Sequence, residues 1–148
     1  MANKQIFISY FHEDRPFARR LRARLEEEEG FKTRSDLDLE KELGADYDER
    51  LSKWLAESYF ILVLLSPGTL TSDKVRAEFE EGLRRERRGK ARVIPLLVEP
   101  CPRQDLDNFI GKKQYGDFTG NFEAASKVLL ASLKRGPDEA DEADEDET

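Results

Sequence analysis

A chain of 148 residues has the length of one domain and can bury a sizeable core. Its net charge of −7 is a local feature, because residues 138–147 hold eight of the 32 acids and no base, which leaves 24 acids against 25 bases elsewhere. That near-neutral remainder argues against a nucleic-acid binder whose affinity rests on net charge, and the single cysteine, Cys101, excludes an internal disulfide and a cysteine metal cluster. No stretch approaches the roughly 20 apolar residues that span a membrane. The apolar stretch near the N-terminus, Ile6-Phe7-Ile8, is too short for a signal peptide. A cytoplasmic location away from membranes is expected, and a lone cysteine fits a reducing compartment.

Ile6-Phe7-Ile8 predicts a short buried strand, and Ser9-Tyr10-Phe11-His12-Glu13 a loop. Asp14 is the expected N-cap of a first helix, with Pro16 in its first turn. Phe17, Leu21 and Leu25 recur every four residues and predict one apolar stripe to about Glu29, with Gly30 as the C′ stop. Phe31 to Arg34 is a weaker second strand. Ser35 to Asp46 is acidic, has no clean period, and reads as a loop around Gly44. Tyr47, Leu51, Trp54 and Leu55 predict a second amphipathic helix, where Trp54 reads as core.

Tyr59-Phe60-Ile61-Leu62-Val63-Leu64-Leu65 is apolar without alternation. Such a strand is buried on both faces, at the centre of a parallel sheet. Pro67-Gly68 turns the chain, and Thr71 or Ser72 caps a third helix from about Asp73 to Arg88, with Val75, Phe79 and Leu83 inward. Gly89 ends it. The basic run Arg84 to Arg88 lies where the helix dipole favours cations. Val93 to Val98 predicts a fourth strand against the objection of Pro95, which cannot donate to a central ladder. Residues 103–113 read as irregular or a short helix, and Tyr115 to Phe118 as a poor fifth strand. Phe122, Ala125, Leu129 and Leu133 form a last helix. Gly136-Pro137 closes a domain of residues 1–135, and residues 136–148 form an acidic tail expected to be disordered.

Strand and helix alternate five times, which implies an α/β, flavodoxin-like, doubly wound five-stranded parallel sheet of order 2-1-3-4-5 with helices on both faces. The ligand crevice of that order lies beyond strands one and three, between the loops Ser9 to Asp14 and Ser66 to Ser72. Helix three then returns Glu78 over this crevice. A phosphoacceptor domain needs an aspartate where Leu64-Leu65-Ser66 ends the third strand. A flavin site needs a glycine-rich loop after strand one, and a classical dinucleotide fold needs Gly-x-Gly-x-x-Gly; the chain has neither.

Ile6-Phe7-Ile8-Ser9-Tyr10 with its acidic loop resembles the first box of TIR (Toll/interleukin-1 receptor) domains. Leu43-Gly44-Ala45-Asp46-Tyr47 is similar to the end of their BB loop. Leu62-Val63-Leu64-Leu65-Ser66-Pro67 resembles their third strand, and Val93-Ile94-Pro95-Leu96 their fourth. The family tolerates proline there. The resemblance covers about residues 4–135, and the bacterial NAD-cleaving members are the nearest in kind.

It implies an NAD+ glycohydrolase, an NADase releasing nicotinamide and either ADP-ribose or a cyclic isomer, with Glu78 as its catalytic carboxylate. Ser9, Tyr10, Phe11, Asp36, Gly44, Ser66, Ser72 and Lys74 are the implied substrate-binding set. NAD+ is substrate, with no cofactor and no metal. One carboxylate suffices because nicotinamide leaves as a neutral molecule and only a ribosyl cation needs stabilising; glycosidases that expel an alkoxide need two. Two positions depart from the family: Lys74 stands where many enzymatic members carry Trp, and Leu43 where a Pro often precedes the loop glycine. The resemblance also implies innate-immunity signalling, activated by self-association through Ser35 to Asp46 or by another TIR protein. The alternative is a non-catalytic module acting by homotypic TIR contacts.

Overall fold

The computed structural model describes residues 4–28 and 30–147, those from 136 onward by backbone alone. The tail expected to be disordered, residues 136–148, lies outside the fully described residues, as does Glu29. Among the described residues five strands alternate with five helices: β1 Gln5–Ser9, α1 Arg15–Glu26, β2 Lys32–Arg34, α2 Tyr47–Glu57, β3 Phe60–Leu65, α3 Asp73–Arg87, β4 Arg92–Leu97, α4 Arg103–Ile110, β5 Gly116–Asp117 and α5 Phe122–Glu147. The sheet is parallel throughout, in the order β2-β1-β3-β4-β5.

Every residue of β3 is at 0 % exposure, as an unbroken apolar run requires. Alternate side chains divide the core. Ile6, Ile8, Leu62 and Leu64 meet Leu21 and Leu25 of α1 and Leu129 and Leu133 of α5. Phe7, Ile61, Val63 and Leu65 face Trp54 of α2, Phe79 of α3 and Phe109 of α4.

Pro95 costs the sheet nothing on its β3 side. The Arg92 N–H donates to Tyr59 O at 2.7 Å and the Val98 N–H to Leu65 O at 2.9 Å, so even-numbered residues of β4 face β3. Pro95 alternates with them and faces β5, as Leu97 does in accepting from the Phe118 N–H at 2.8 Å. Its missing donor therefore points toward the shorter edge strand.

Several expectations are corrected locally. Residues 35–46 are not a plain loop: a 3₁₀ turn spans Asp36–Lys41, opened by Ser35, whose Oγ accepts from the Leu37 N–H while Asp38 accepts from the Ser35 N–H. Helix α1 stops at Glu26, and Gly30 turns the chain into β2 at φ +92° without capping the helix. In α3, Leu83 packs half-buried against the core as expected, and Gly82 beside it meets the sheet, where a Cβ would lie 3.0 Å from Val93 Cγ2. The end of α3 is as expected. The Gly89 N–H donates to Glu86 O and the Lys90 N–H to Arg85 O, a Schellman closure with Gly89 at φ +71°.

Candidate functional site

Glu78 is placed by two features of α3. Ser72 Oγ accepts from the Val75 N–H at 3.2 Å and starts the helix. Val75 and Phe79 bury against the sheet, which leaves the flanking Glu78 at its margin. There the Ser9 hydroxyl, at the end of β1, donates to Glu78 Oε1 at 2.6 Å. Burial raises the Glu78 carboxyl above its usual range; the Ser9 donation and the Lys74 charge oppose that rise, and Asp36 adds to it.

Two adjoining cavities meet here. One, of about 470 Å³, lies between α2 and α3, with Leu51, Leu55 and Ala56 on one wall and Ala77, Glu78 and Arg85 on the other. The second, of about 550 Å³, lies over the end of the sheet and is lined by Tyr10, Phe11, Arg15, Asp36 and Ser72. Tyr47 and Lys74 line both. Lys74 Nζ lies 3.2 Å from Asp36 Oδ2 and 5.5 Å from the Tyr47 ring centre. Burial disfavours its charge, but Tyr47, Glu78 and Asp36 outweigh that and hold its pKa above the ordinary lysine value. The Tyr10 hydroxyl donates to Asp36 Oδ1, and burial with that acidic neighbour pushes the phenol up. Asp36 thus ties the 35–46 segment to Tyr10, just after β1, and to α3 together.

The implied substrate-binding residues therefore divide. Tyr10, Phe11, Asp36, Ser72 and Lys74 line the second cavity, and Lys74 joins Glu78 in the first. Ser9 is buried at 1 % exposure behind Glu78, so it positions the carboxylate and presents no surface to a ligand. Ser66 is also enclosed, donating to Asp14 Oδ2 at 2.5 Å. The reason is Asp14, which is itself buried and makes no capping bond to α1; an enclosed carboxylate needs a donor, and Ser66 supplies one. Gly44, at φ +88°, lines neither cavity. Gly68 has an ordinary negative φ; its requirement is steric, since a Cβ would lie 2.4 Å from Phe11 Cε2.

Tyr47 belongs to the predicted apolar stripe of α2, yet it is 46 % exposed and forms a cavity wall. The stripe it shares with Leu51 and Leu55 is legible in the sequence, but not what the stripe faces. Arg85 carries no distinguishing signal within its basic run. Among the described residues no group of three or more His, Cys, Asp or Glu is placed to hold a metal ion, and no helix is long and apolar enough to cross a membrane.

The sequence profile of the TIR domain family matches residues 6–130. Among solved structures, the TIR domain of the Toll-related receptor TRR-2 from Hydra magnipapillata is similar at 21 % identity and a TM-score of 0.68, over 87 % of this chain and 97 % of that one. The TIR domains of the activated Roq1 resistosome, which directly recognises the pathogen effector XopQ, are similar at 20 % identity and a TM-score of 0.65, over 88 % and 99 %. No curated protein sequence matches. A profile match over most of the chain, on a parallel sheet of the order 2-1-3-4-5, shows that the chain belongs to the TIR domain family.

Proposed function

We propose that this TIR domain is an NAD+ glycohydrolase and that Glu78 stabilises the ribosyl cation of its reaction. The observation that carries the reading is the Glu78 carboxylate, fixed by Ser9 at 2.6 Å and bordering a largely apolar cavity of about 470 Å³. The bond between nicotinamide N1 and ribose C1′ breaks, and its electron pair leaves with the neutral nicotinamide. The cation left at C1′ is neutralised by water, which gives up a proton to solvent and yields ADP-ribose. Attack by an adenine nitrogen gives the cyclic isomer instead. A carboxylate already oriented toward that developing charge, in low-dielectric surroundings, lowers the barrier without reorganising. Glu78 must be ionised for this; burial raises its pKa, and the Ser9 donation and the Lys74 charge offset part of that rise.

Self-association is the activating step in this reading. Leu43 is 94 % exposed at the turn of the 35–46 segment, an apolar side chain suited to a second copy or another TIR protein. The Roq1 TIR domains belong to an activated assembly, which supports a self-associating module in immune-type signalling. The setting is intracellular, where NAD+ is available.

One observation favours a second reading, a non-catalytic TIR interaction module. The Lys74–Asp36 ion pair stands between the two cavities, with Lys74 at the position where many enzymatic members of the family carry Trp. Nicotinamide release from NAD+ by the purified protein, followed across protein concentration, separates the two. Release that rises more steeply than concentration is expected; none from an assembled sample would leave the interaction module.

A further inference from the structure

Arg85 stands seven residues after Glu78, two turns along α3 and about 10.5 Å away by helical rise, on the same stripe. Both line the cavity between α2 and α3. Arg85 Nη2 donates to Ala56 O at 2.6 Å, a carbonyl in the last turn of α2 that lacks an intrahelical partner. This capping contact fixes the guanidinium but uses one of its five N–H groups. Its Nε is buried with no partner, and among the described residues no carboxylate pairs with it. Glu81, one turn earlier and in the same cavity, pairs with Arg84 at 2.7 Å instead.

The cavity therefore holds Glu78, with Lys74 one turn before it, toward one end, the oriented Arg85 guanidinium with no carboxylate partner at the other, and Leu51, Leu55 and the Arg84-paired Glu81 along the walls between. A ligand with an anionic end would answer the unpaired guanidinium, and a cationic group at its other end would meet Glu78. We infer that Arg85 anchors the phosphate-bearing end of a ribosyl pyridinium nucleotide, which lies along the α2–α3 cavity with its cationic ring at Glu78. A ribose with its 5′-phosphates bridges a separation of this size. The guanidinium, already held by Ala56, binds the anion with little further ordering. The inference rests on the glycohydrolase reading for the cation at Glu78; the placement of Arg85 stands on geometry.

The test compares wild type, Arg85→Gln and Arg85→Lys on NAD+, nicotinamide mononucleotide and nicotinamide riboside, which lacks the phosphate. Arg85→Gln should raise KM for the two phosphate-bearing substrates about tenfold with kcat little changed, the loss of roughly one charge-assisted contact. On the riboside it should match wild type, and Arg85→Lys should recover part of the loss. An equal loss on the riboside would show that Arg85 acts only through its bond to Ala56, and an unchanged KM for NAD+ would overturn the anchor outright. Should the wild type release no nicotinamide, the glycohydrolase reading falls, and the anchor is judged by NMR titration with ADP-ribose and inorganic pyrophosphate. Amide shifts around Ala56 and Arg85 that vanish in Arg85→Gln would uphold it; their absence in the wild type would overturn it.

Discussion

Glu78 is under opposing demands of charge and burial. Its carboxyl is raised in the folded protein, so between the unfolded value near 4.5 and that raised value the native state binds more protons. The contribution of this group to stability therefore falls as pH rises through that window, and at neutral pH the ionised side chain works against folding. Glu78→Gln keeps the shape and removes the charge. Its nicotinamide release should drop on the order of 100- to 1000-fold, the usual cost of a preorganised electrostatic contact. Its melting temperature at pH 7 should equal or exceed that of wild type, with the advantage fading on acidification as the glutamate takes up its proton and comes to resemble glutamine. The exposed neighbour variant Glu80→Gln should stay active and folded. Ser9→Ala makes a different demand: losing the 2.6 Å donation raises the Glu78 pKa further, so the acid limb of the kcat–pH profile should move to higher pH. An unmoved limb would show that Ser9 does not tune the carboxylate.

At the scale of elements, the cavity walls depend on how α2 and the segment before it are held. Asp46 Oδ1 accepts from the Glu49 N–H at 2.9 Å and caps α2. Asp46→Ala should cost roughly 1 kcal/mol in denaturant unfolding, the usual value of such a cap. Gly44 sits at φ +88°, and a Cβ added there would have nothing within 4 Å, so the penalty of a Cβ at this position lies in backbone conformation. Gly44→Val should strain the turn by roughly 1–2 kcal/mol and displace the exposed Leu43 beside it. Sedimentation across concentration should then show weaker self-association than wild type with the domain still folded. Identical assembly in the two proteins would remove residues 35–46 from the interface.

For the molecule as a whole, the acidic tail and the domain separate in charge and composition. Residues 138–148 contain no apolar residue larger than alanine, so they have little to bury. Truncation after Pro137 removes eight acids and takes the formal charge from −7 to +1. The melting temperature should stay within about two degrees, since stability follows the buried core and not the formal charge; a larger fall in calorimetry would mean that the tail docks on the domain.

Sheet order and the buried centre are legible in the sequence because they follow from short-range patterns. Seven consecutive apolar residues in 59–65 cannot face water, and five alternations of strand and helix leave few ways to wind the chain. The same patterns put Glu78 at the switch point between β1 and β3. Polar partners are not legible, since those are chosen by residues far apart in the chain. Ser9 and Glu78 are 69 positions apart, and Asp14 and Ser66 are 52 apart. Asp14 has the chemistry of a helix cap, and only its burial beside Ser66 diverts it. Pro95 stands as an objection to a strand until the alternation of hydrogen-bonding sides turns it from β3 toward the edge. Apolar periodicity is a property of a few neighbouring residues and survives in the sequence. The partner of a buried polar group is decided only when the sheet closes, because desolvation forces it to bond to whatever donor or acceptor the tertiary fold has brought within reach.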